Sequence, residues 1–361
     1  MLVSLSSAGY AFTHASPARR GGLQHGSSSS RGLSGRLIAA AGVSGQIIME
    51  EMTGASPSAG VAGKDAVAAS RGPETWDLTL AHSPDSDDAF MFYALATNKL
   101  RARGLRFSHV LSDIETLNQV AQDEKYDVTA VSFSAYPLLA SKYALLDCGS
   151  SFGDGYGPLV VAQRALKPAD LAGRRIAVPG MLTTSYLALR LHTPHFEPVP
   201  IPFDKIIEAV RNGSVEAGLL IHEGQLLYPE AGLHRVVDLG MWWREQTSMP
   251  LPLGGNAVRR SLGPDVCRRV GRAIQDSVQY ALDHREQALT YALQFARDMD
   301  LELADKFVGM YVNSWTLSMG EIGRSAVREL LARGHHAGII PSIPSIDFVS
   351  LVPNGSEGTE S

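Results

Sequence analysis

Three short segments of the 361-residue chain carry side chains whose types and spacing could do chemistry. In Leu219-Leu-Ile-His222-Glu223-Gly224 an apolar run ends in an imidazole, a carboxylate and a turn glycine. An imidazole titrates near neutral pH, so a His at the end of a buried strand can act as a general base. It can equally be a structural hydrogen-bonding residue, and Glu223 could orient it or face solvent. The second segment, Ser83-Pro-Asp-Ser-Asp-Asp-Ala89, places hydroxyls and three carboxylates at a strand-to-helix turn. A helix N-terminus offers free N–H groups to an anion, unless Asp87 or Asp88 caps the helix itself. Three aspartates make that turn a poor phosphate site. The third, Pro179-Gly-Met-Leu-Thr-Thr-Ser185, is a hydroxyl-rich turn suited to a carboxylate or to sugar hydroxyls without a fixed charge.

The elements that must position these segments alternate. Trp76 to His82 reads as a strand, Asp88 to Leu100 as a helix apolar on most faces, and Leu105 to Leu111 as a strand. An amphipathic helix over Asp113 to Glu124 and a strand over Asp127 to Phe133 complete a parallel β-α-β-α-β unit. Strand ends near Ser83 and Ser132 then open on the edge where α/β ligands sit. After Gly153-Asp-Gly-Tyr-Gly-Pro158 the pattern restarts. Strands are expected at 159–163, 175–179, 199–203, 216–222 and 235–239, with helices at 184–191 and, capped by Asp204, up to Asn212. An extended segment follows at 250–258, and beyond Gly263-Pro264 the chain is helical at about 265–284, 286–299, 303–314 and 320–334. This order predicts a two-lobed α/β fold with a ligand cleft between the lobes and a helical C-terminal segment covering the first. The expected division is lobe 1 at about 76–157 plus 260–352 and lobe 2 at about 158–259, with the two hydroxyl-bearing turns facing each other.

Composition narrows the partners. Lys and Arg number 32 against 37 Asp and Glu, a net charge of −5, so no positive field recommends nucleic acid. Cys148 and Cys267 are too few for a disulfide framework or a cysteine zinc site. No apolar run reaches the length of a membrane-spanning helix. His222-Glu223 is not a zinc-protease motif, because no second His stands four residues on. Gly153 to Pro158 lacks the Lys of a phosphate loop and reads as an inter-lobe hinge. Trp242-Trp243 could wall a planar ligand or pack in the core.

Residues 1–49 contain no Asp or Glu and carry Arg19, Arg20, Arg31 and Arg36. Residues 1–75 therefore read as a disordered leader and linker, and 353–361 as a frayed tail. Two origins stay open for the leader: an organellar transit peptide, or sequence ahead of a bacterial start at Met49 or Met52. The first places the protein in a plastid or mitochondrion and the second in the cytoplasm.

Six motifs in order resemble the 1,4-dihydroxy-6-naphthoate synthase family of the futalosine route to menaquinone. They are Ser83-Pro-Asp-Ser-Asp-Asp-Ala-Phe-Met-Phe-Tyr93, Asp113-Ile-Glu-Thr-Leu-Asn118, Gly155-Tyr-Gly-Pro-Leu-Val-Val161, Val178-Pro-Gly180 with Thr183-Thr184, Ile221-His-Glu-Gly224 and Pro250-Leu-Pro-Leu-Gly254. The resemblance covers about 76–350. It implies a type II periplasmic-binding-protein-like fold used as a carbon–carbon lyase, opening cyclic dehypoxanthinyl futalosine to 1,4-dihydroxy-6-naphthoate with no metal or organic cofactor. It further implies His222 as proton acceptor and substrate contacts at Ala130, Val131, Ser132, Thr183 and Thr184.

Many members of that family carry Ser-Pro-Cys-Pro-Asn-Asp-Thr at the first turn, and some a Lys where Ala130 stands. This chain has extra carboxylates and one cation fewer, a charged hydrogen bond typically worth about 1.5–3 kcal/mol. A substrate carboxylate would then rest on helix N-termini, or on Arg259 or Arg260. Chorismate dehydratase of the same route would open with a Ser-Tyr-Leu-Asn-type turn, and a transporter's solute-binding protein would carry an export signal.

Overall fold

β2 (Trp76–His82) and β3 (Leu105–Leu111) run parallel along their whole length, Trp76 opposite Leu105 and His82 opposite Leu111. The computed structural model describes residues 47–49, 75–297, 299–349 and 351. The expected leader and tail lie outside them, apart from β1 (Ile47–Met49), which adds a parallel edge to β3, and the residues next to Trp76. On its other side β2 pairs in parallel with β4 (Val128–Ser132), whose five residues are all buried. A strand buried on both faces commonly reads as a continuous apolar run, but β4 also buries the polar Thr129 and Ser132.

The next neighbour of β4 comes from far along the chain. β5 (Tyr143–Leu146) and β6 (Ser151–Gly153) both pair with β12 (Leu251–Arg259), which lies antiparallel to β4 with Gly254 opposite Ser132. This corrects the expected division of the lobes: residues 251–259 belong to the first sheet. The reason is burial, since Leu251, Ala257 and Val258 are sealed between strands and helices of lobe 1. β13 (Phe348–Val349) closes that edge beside β5.

The second sheet holds β7 (Leu159–Ala162), β8 (Arg175–Val178), β9 (Glu197–Pro200), β10 (Ala217–Leu220) and β11 (His234–Asp238), in the order β11-β7-β10-β8-β9. β10 is buried throughout and ends two residues short of His222. Residues 154–158 and 248–250 cross between the sheets. The crossing is tight: a Cβ at Gly240 would overlap the Tyr156 carbonyl oxygen. Trp243 is core, with its Nε1–H donated to the Pro250 carbonyl at 3.1 Å.

α1 (Ser86–Ala96), apolar all round, is buried against the helices Pro264–Asp283 and Arg285–Ala292. Ser277 of the former donates its hydroxyl to the Met91 carbonyl at 2.9 Å. The final long helix, Gly320–His336, buries Val327, Leu330 and Leu331 in one cluster with Tyr136 of lobe 1 and Leu187 and Trp243 of lobe 2. It thus ties the lobes together instead of covering the first alone. Among the shorter differences, Asp204 does not cap a helix; a 3₁₀ turn over Phe203–Lys205 leads into the helix Ile206–Arg211. No helix among the described residues is long and apolar enough to cross a membrane.

Candidate functional site

The cap of α1 is Asp85, not Asp87 or Asp88. Its Oδ1 accepts the Asp88 N–H at 3.2 Å from an extended backbone, as capping requires. Asp88 turns back and accepts the Ser83 N–H at 2.8 Å. The second oxygen of Asp85 reaches lobe 2, where Oδ2 stands 2.9 Å from Nδ1 of His222.

His222 is held in an unusual backbone state. Its φ is +49°, in the left-handed region where a non-glycine residue is strained by about 1–2 kcal/mol. The ring packs on Phe203 with centroids 4.8 Å apart. Because Nδ1 donates to a carboxylate, the lone pair of the neutral ring sits on Nε2, which is buried and has no protein partner. The Asp-oriented imidazole with one free nitrogen is the arrangement that a general base needs.

Charge at this turn is governed by burial. Burial alone would push the Asp85 carboxyl up, but the His222 imidazole beside it holds it well below the usual carboxylate range. Burial would lower His222, and the Asp85 carboxylate more than offsets this, so its pKa stands above the ordinary value. Burial, then the Asp85 and Asp88 charges, push Asp87 well up. Burial, then Asp85, take Asp88 up to about 8. Burial thus disfavours the charged form at Asp87 and Asp88, while the His222 imidazole beside Asp85 favours its carboxylate.

The cleft between the lobes holds a cavity of about 120 Å³ that is continuous with solvent. Ala130, Val131, Ser132, Thr183, Thr184 and His222 all line it. Ser132 is fixed by Asn118, which accepts its N–H at 2.8 Å and donates to its hydroxyl at 2.9 Å. The two threonine hydroxyls are already engaged. Thr183 caps α2 (Thr184–His192) by accepting the Tyr186 N–H, and Thr184 accepts the Ser134 N–H across the cleft. What these residues leave for a ligand is the pair of free N–H groups at the start of α2.

No Lys or Arg is among the residues lining the cleft. Arg259 pairs instead with Asp127 at 2.5 Å and Arg260 with Asp347 at 3.0 Å, so neither can hold a substrate carboxylate as expected. Glu223 neither faces solvent nor bonds the imidazole; it is buried and stands 3.4 Å from Arg297 of lobe 1. Beside it, the Tyr311 hydroxyl of lobe 1 donates to Gln225 of lobe 2 at 2.7 Å. Asp85, Asp87 and His222 each offer a donor atom within 4.8 Å of the others and could hold a cation, at the expense of the Asp85–His222 bond.

Sequence reasoning placed His222 at the site but missed Asp85 as its partner. The signal was present as an acidic residue at the cap of one strand-to-helix turn and an imidazole at the end of a strand in the other lobe. What could not be read was that the lobes meet at these two points. Asn118, which holds Ser132, stands in the Asp113-to-Asn118 motif with no local pattern that marks its partner.

Comparison with known proteins shows the family. A family model described as menaquinone biosynthesis matches residues 78–336. Two similar proteins are named 1,4-dihydroxy-6-naphthoate synthase. The one from Thermus thermophilus is 42% identical over 272 residues, 75% of this chain and 99% of the relative. The one from Streptomyces coelicolor is 39% identical, covering 74% and 95%. A solved protein from Archaeoglobus fulgidus superposes with a TM-score of 0.71 at 47% identity, covering 73% of this chain and 98% of that one. A ligand-binding component of an import system from Staphylococcus aureus shares only the fold, with a TM-score of 0.60 at 11% identity over 76% of this chain and 96% of that one. The two-lobed periplasmic-binding-protein-like fold, the match over most of the folded chain and the identity to the two synthases place the chain in the menaquinone biosynthesis family.

Proposed function

We propose that this protein is a carbon–carbon lyase that opens cyclic dehypoxanthinyl futalosine to 1,4-dihydroxy-6-naphthoate, with His222 as the general base. The observation that carries the reading is the Asp85–His222 pair at 2.9 Å, which spans the cleft and leaves Nε2 without a protein partner. A retro-aldol-type cleavage needs a base for a hydroxyl proton, and aromatisation of the product supplies driving force, so one oriented imidazole suffices to start it. The contacts of Tyr311 with Gln225 and Arg297 with Glu223 hold the lobes around the ligand, which excludes water and aligns the reacting bond.

Ala130, Val131 and Ser132 would form one wall for the ring system. The carboxylate would lie against the free N–H groups of α2 beside Thr183 and Thr184, where the helix dipole favours an anion. Incubating the full chain with cyclic dehypoxanthinyl futalosine, and separately with chorismate, tests this. Naphthoate from the first and no dehydration of the second is expected. Turnover of chorismate would support the dehydratase reading, and binding of an unrelated solute without turnover of either would support a transporter component.

A further inference from the structure

Asn256 of β12 lines the cleft and is 2% exposed. Its amide is clamped at one end. Nδ2 donates to the Gly149 carbonyl at 2.8 Å and stands 3.8 Å from Sδ of Met91 on α1. The first contact fixes which end is which, because a flipped amide would set two acceptor oxygens 2.8 Å apart. Gly149 holds φ +73°, its N–H donates to the Thr316 carbonyl at 2.7 Å, and a Cβ on it would overlap Nδ2 of Asn256. The left-handed turn and the close approach of the amide both require a glycine there.

The other end of the amide is free. Oδ1 is buried and has no protein partner. A buried amide oxygen left without a donor is a standing cost to the fold, and a donor on a bound ligand removes that cost. Asn256 stands directly opposite Ala130 in the pairing of β4 with β12, and Gly254 opposite Ser132; all four line the cleft. Residues opposed in an antiparallel pair point to the same face with Cβ atoms roughly 4.5–5.5 Å apart. The amide therefore borders the wall that Ala130 and Ser132 form. An amide oxygen accepts a hydrogen bond without taking the proton, so it can hold and select a hydroxyl but cannot serve as a base.

Resting on the lyase reading of this site, we propose that Asn256 is a specificity-determining contact: its Oδ1 accepts a hydrogen bond from a hydroxyl on the ring system that lies against Ala130. The role differs from that of His222. Nε2 of His222 is a free nitrogen that can take a proton, whereas Oδ1 of Asn256 is a fixed acceptor that a bare or keto-bearing ring leaves unpaired. The site favours a hydroxylated ring twice over, by the hydrogen bond gained and by the burial cost that a bare ring leaves in place. In 1,4-dihydroxy-6-naphthoate the two hydroxyls sit on one ring and the carboxylate on the other. Such a ligand spans the cleft, with a hydroxyl on Asn256 in lobe 1 and the carboxylate at the start of α2 in lobe 2.

Calorimetric binding of two probes to the full-length wild type, Asn256→Leu and Asn256→Ala tests the assignment. The probes are 1,4-dihydroxy-6-naphthoate, kept reduced under nitrogen, and naphthalene-2-carboxylate, which has the same rings and carboxylate without the hydroxyls. The wild type should bind the dihydroxy compound at least about 30-fold more tightly. Both variants should shrink that preference at least about tenfold, while naphthalene-2-carboxylate binds them as well as it binds the wild type, or better, because no amide oxygen is left stranded. Its retained binding is also the check on folding. Should Asn256→Leu lose both ligands, Asn256→Ala decides alone. A preference unchanged within about threefold in a variant that binds, or a wild type with no preference, overturns the assignment. Loss of both ligands by both variants gives Asn256 the structural task of holding Gly149 and overturns it as well. Those results leave the lyase reading standing. A wild type that forms no naphthoate from cyclic dehypoxanthinyl futalosine overturns that reading, and this proposal with it.

Discussion

The Asp85 carboxylate uses one oxygen to cap α1 at the Asp88 N–H and the other to hold His222 Nδ1 at 2.9 Å across the cleft. A single side chain therefore couples the start of a lobe 1 helix to the base in lobe 2. The link also explains how His222 is kept at φ +49°: the fold surrounding it over-determines a conformation that it would otherwise leave.

Asp85→Asn separates the two duties. Asn is as good a cap as Asp, so stability should change by less than about 1 kcal/mol, whereas Asp85→Ala should lose about 1 kcal/mol of capping as well. Both should lower kcat by about 10²–10⁴-fold, because the imidazole loses its orienting charge. Thermal unfolding read beside kcat checks the division, and an Asp85→Asn protein with wild-type turnover would contradict it.

The pH profile carries a sign. His222 must be neutral to accept a proton, and the Asp85 carboxylate raises its pKa above the ordinary 6.5, so kcat/KM should rise with pH along a limb centred above that value. In Asp85→Asn the raising charge is gone while burial remains, and the limb should move to lower pH. A limb that stays in place would detach it from this pair.

Asp88 makes stability fall with pH. Its folded pKa is raised from 3.8 to about 8, so the folded state holds a proton that the unfolded chain has lost. The contribution is complete below 3.8 and is lost progressively as pH rises through about 8. Asp88→Asn keeps the oxygen that accepts the Ser83 N–H and should flatten the fall between pH 5 and 8, by an amount on the order of a few kcal/mol. Urea unfolding at both pH values measures it, and an unchanged slope in the variant would contradict the assignment.

How far the residues alone led is clear from these sites. The alternation of strands and helices marked two α/β units, and the apolar run into His222 marked a strand end, because both depend on local periodicity. Leu251–Arg259 was placed in the wrong lobe because pairing between β12 and β4 joins residues more than a hundred positions apart, which no local pattern records. The choice of Asp85 over Asp87 or Asp88 as the cap failed similarly: three acids in four residues each satisfy the local preference, and the cross-cleft imidazole decides. Arg259 and Arg260 were candidate anion binders by charge alone, and their partners Asp127 and Asp347 come from distant strands and loops.

Metal dependence offers a separate check on the triad. Because Nδ1 of His222 is already bonded to Asp85, turnover should survive exhaustive chelation within about twofold. Loss of activity restored by one divalent cation would turn Asp85, Asp87 and His222 into a metal site.

The central claim is that His222 removes the proton that begins cleavage. Naphthoate formation from saturating cyclic dehypoxanthinyl futalosine, followed by mass spectrometry for the wild type and His222→Asn, measures this most directly. The account predicts steady product from the wild type and a fall of about 10²–10⁴-fold or more in the variant, with product affinity preserved. A His222→Asn protein that forms naphthoate at the wild-type rate would contradict it.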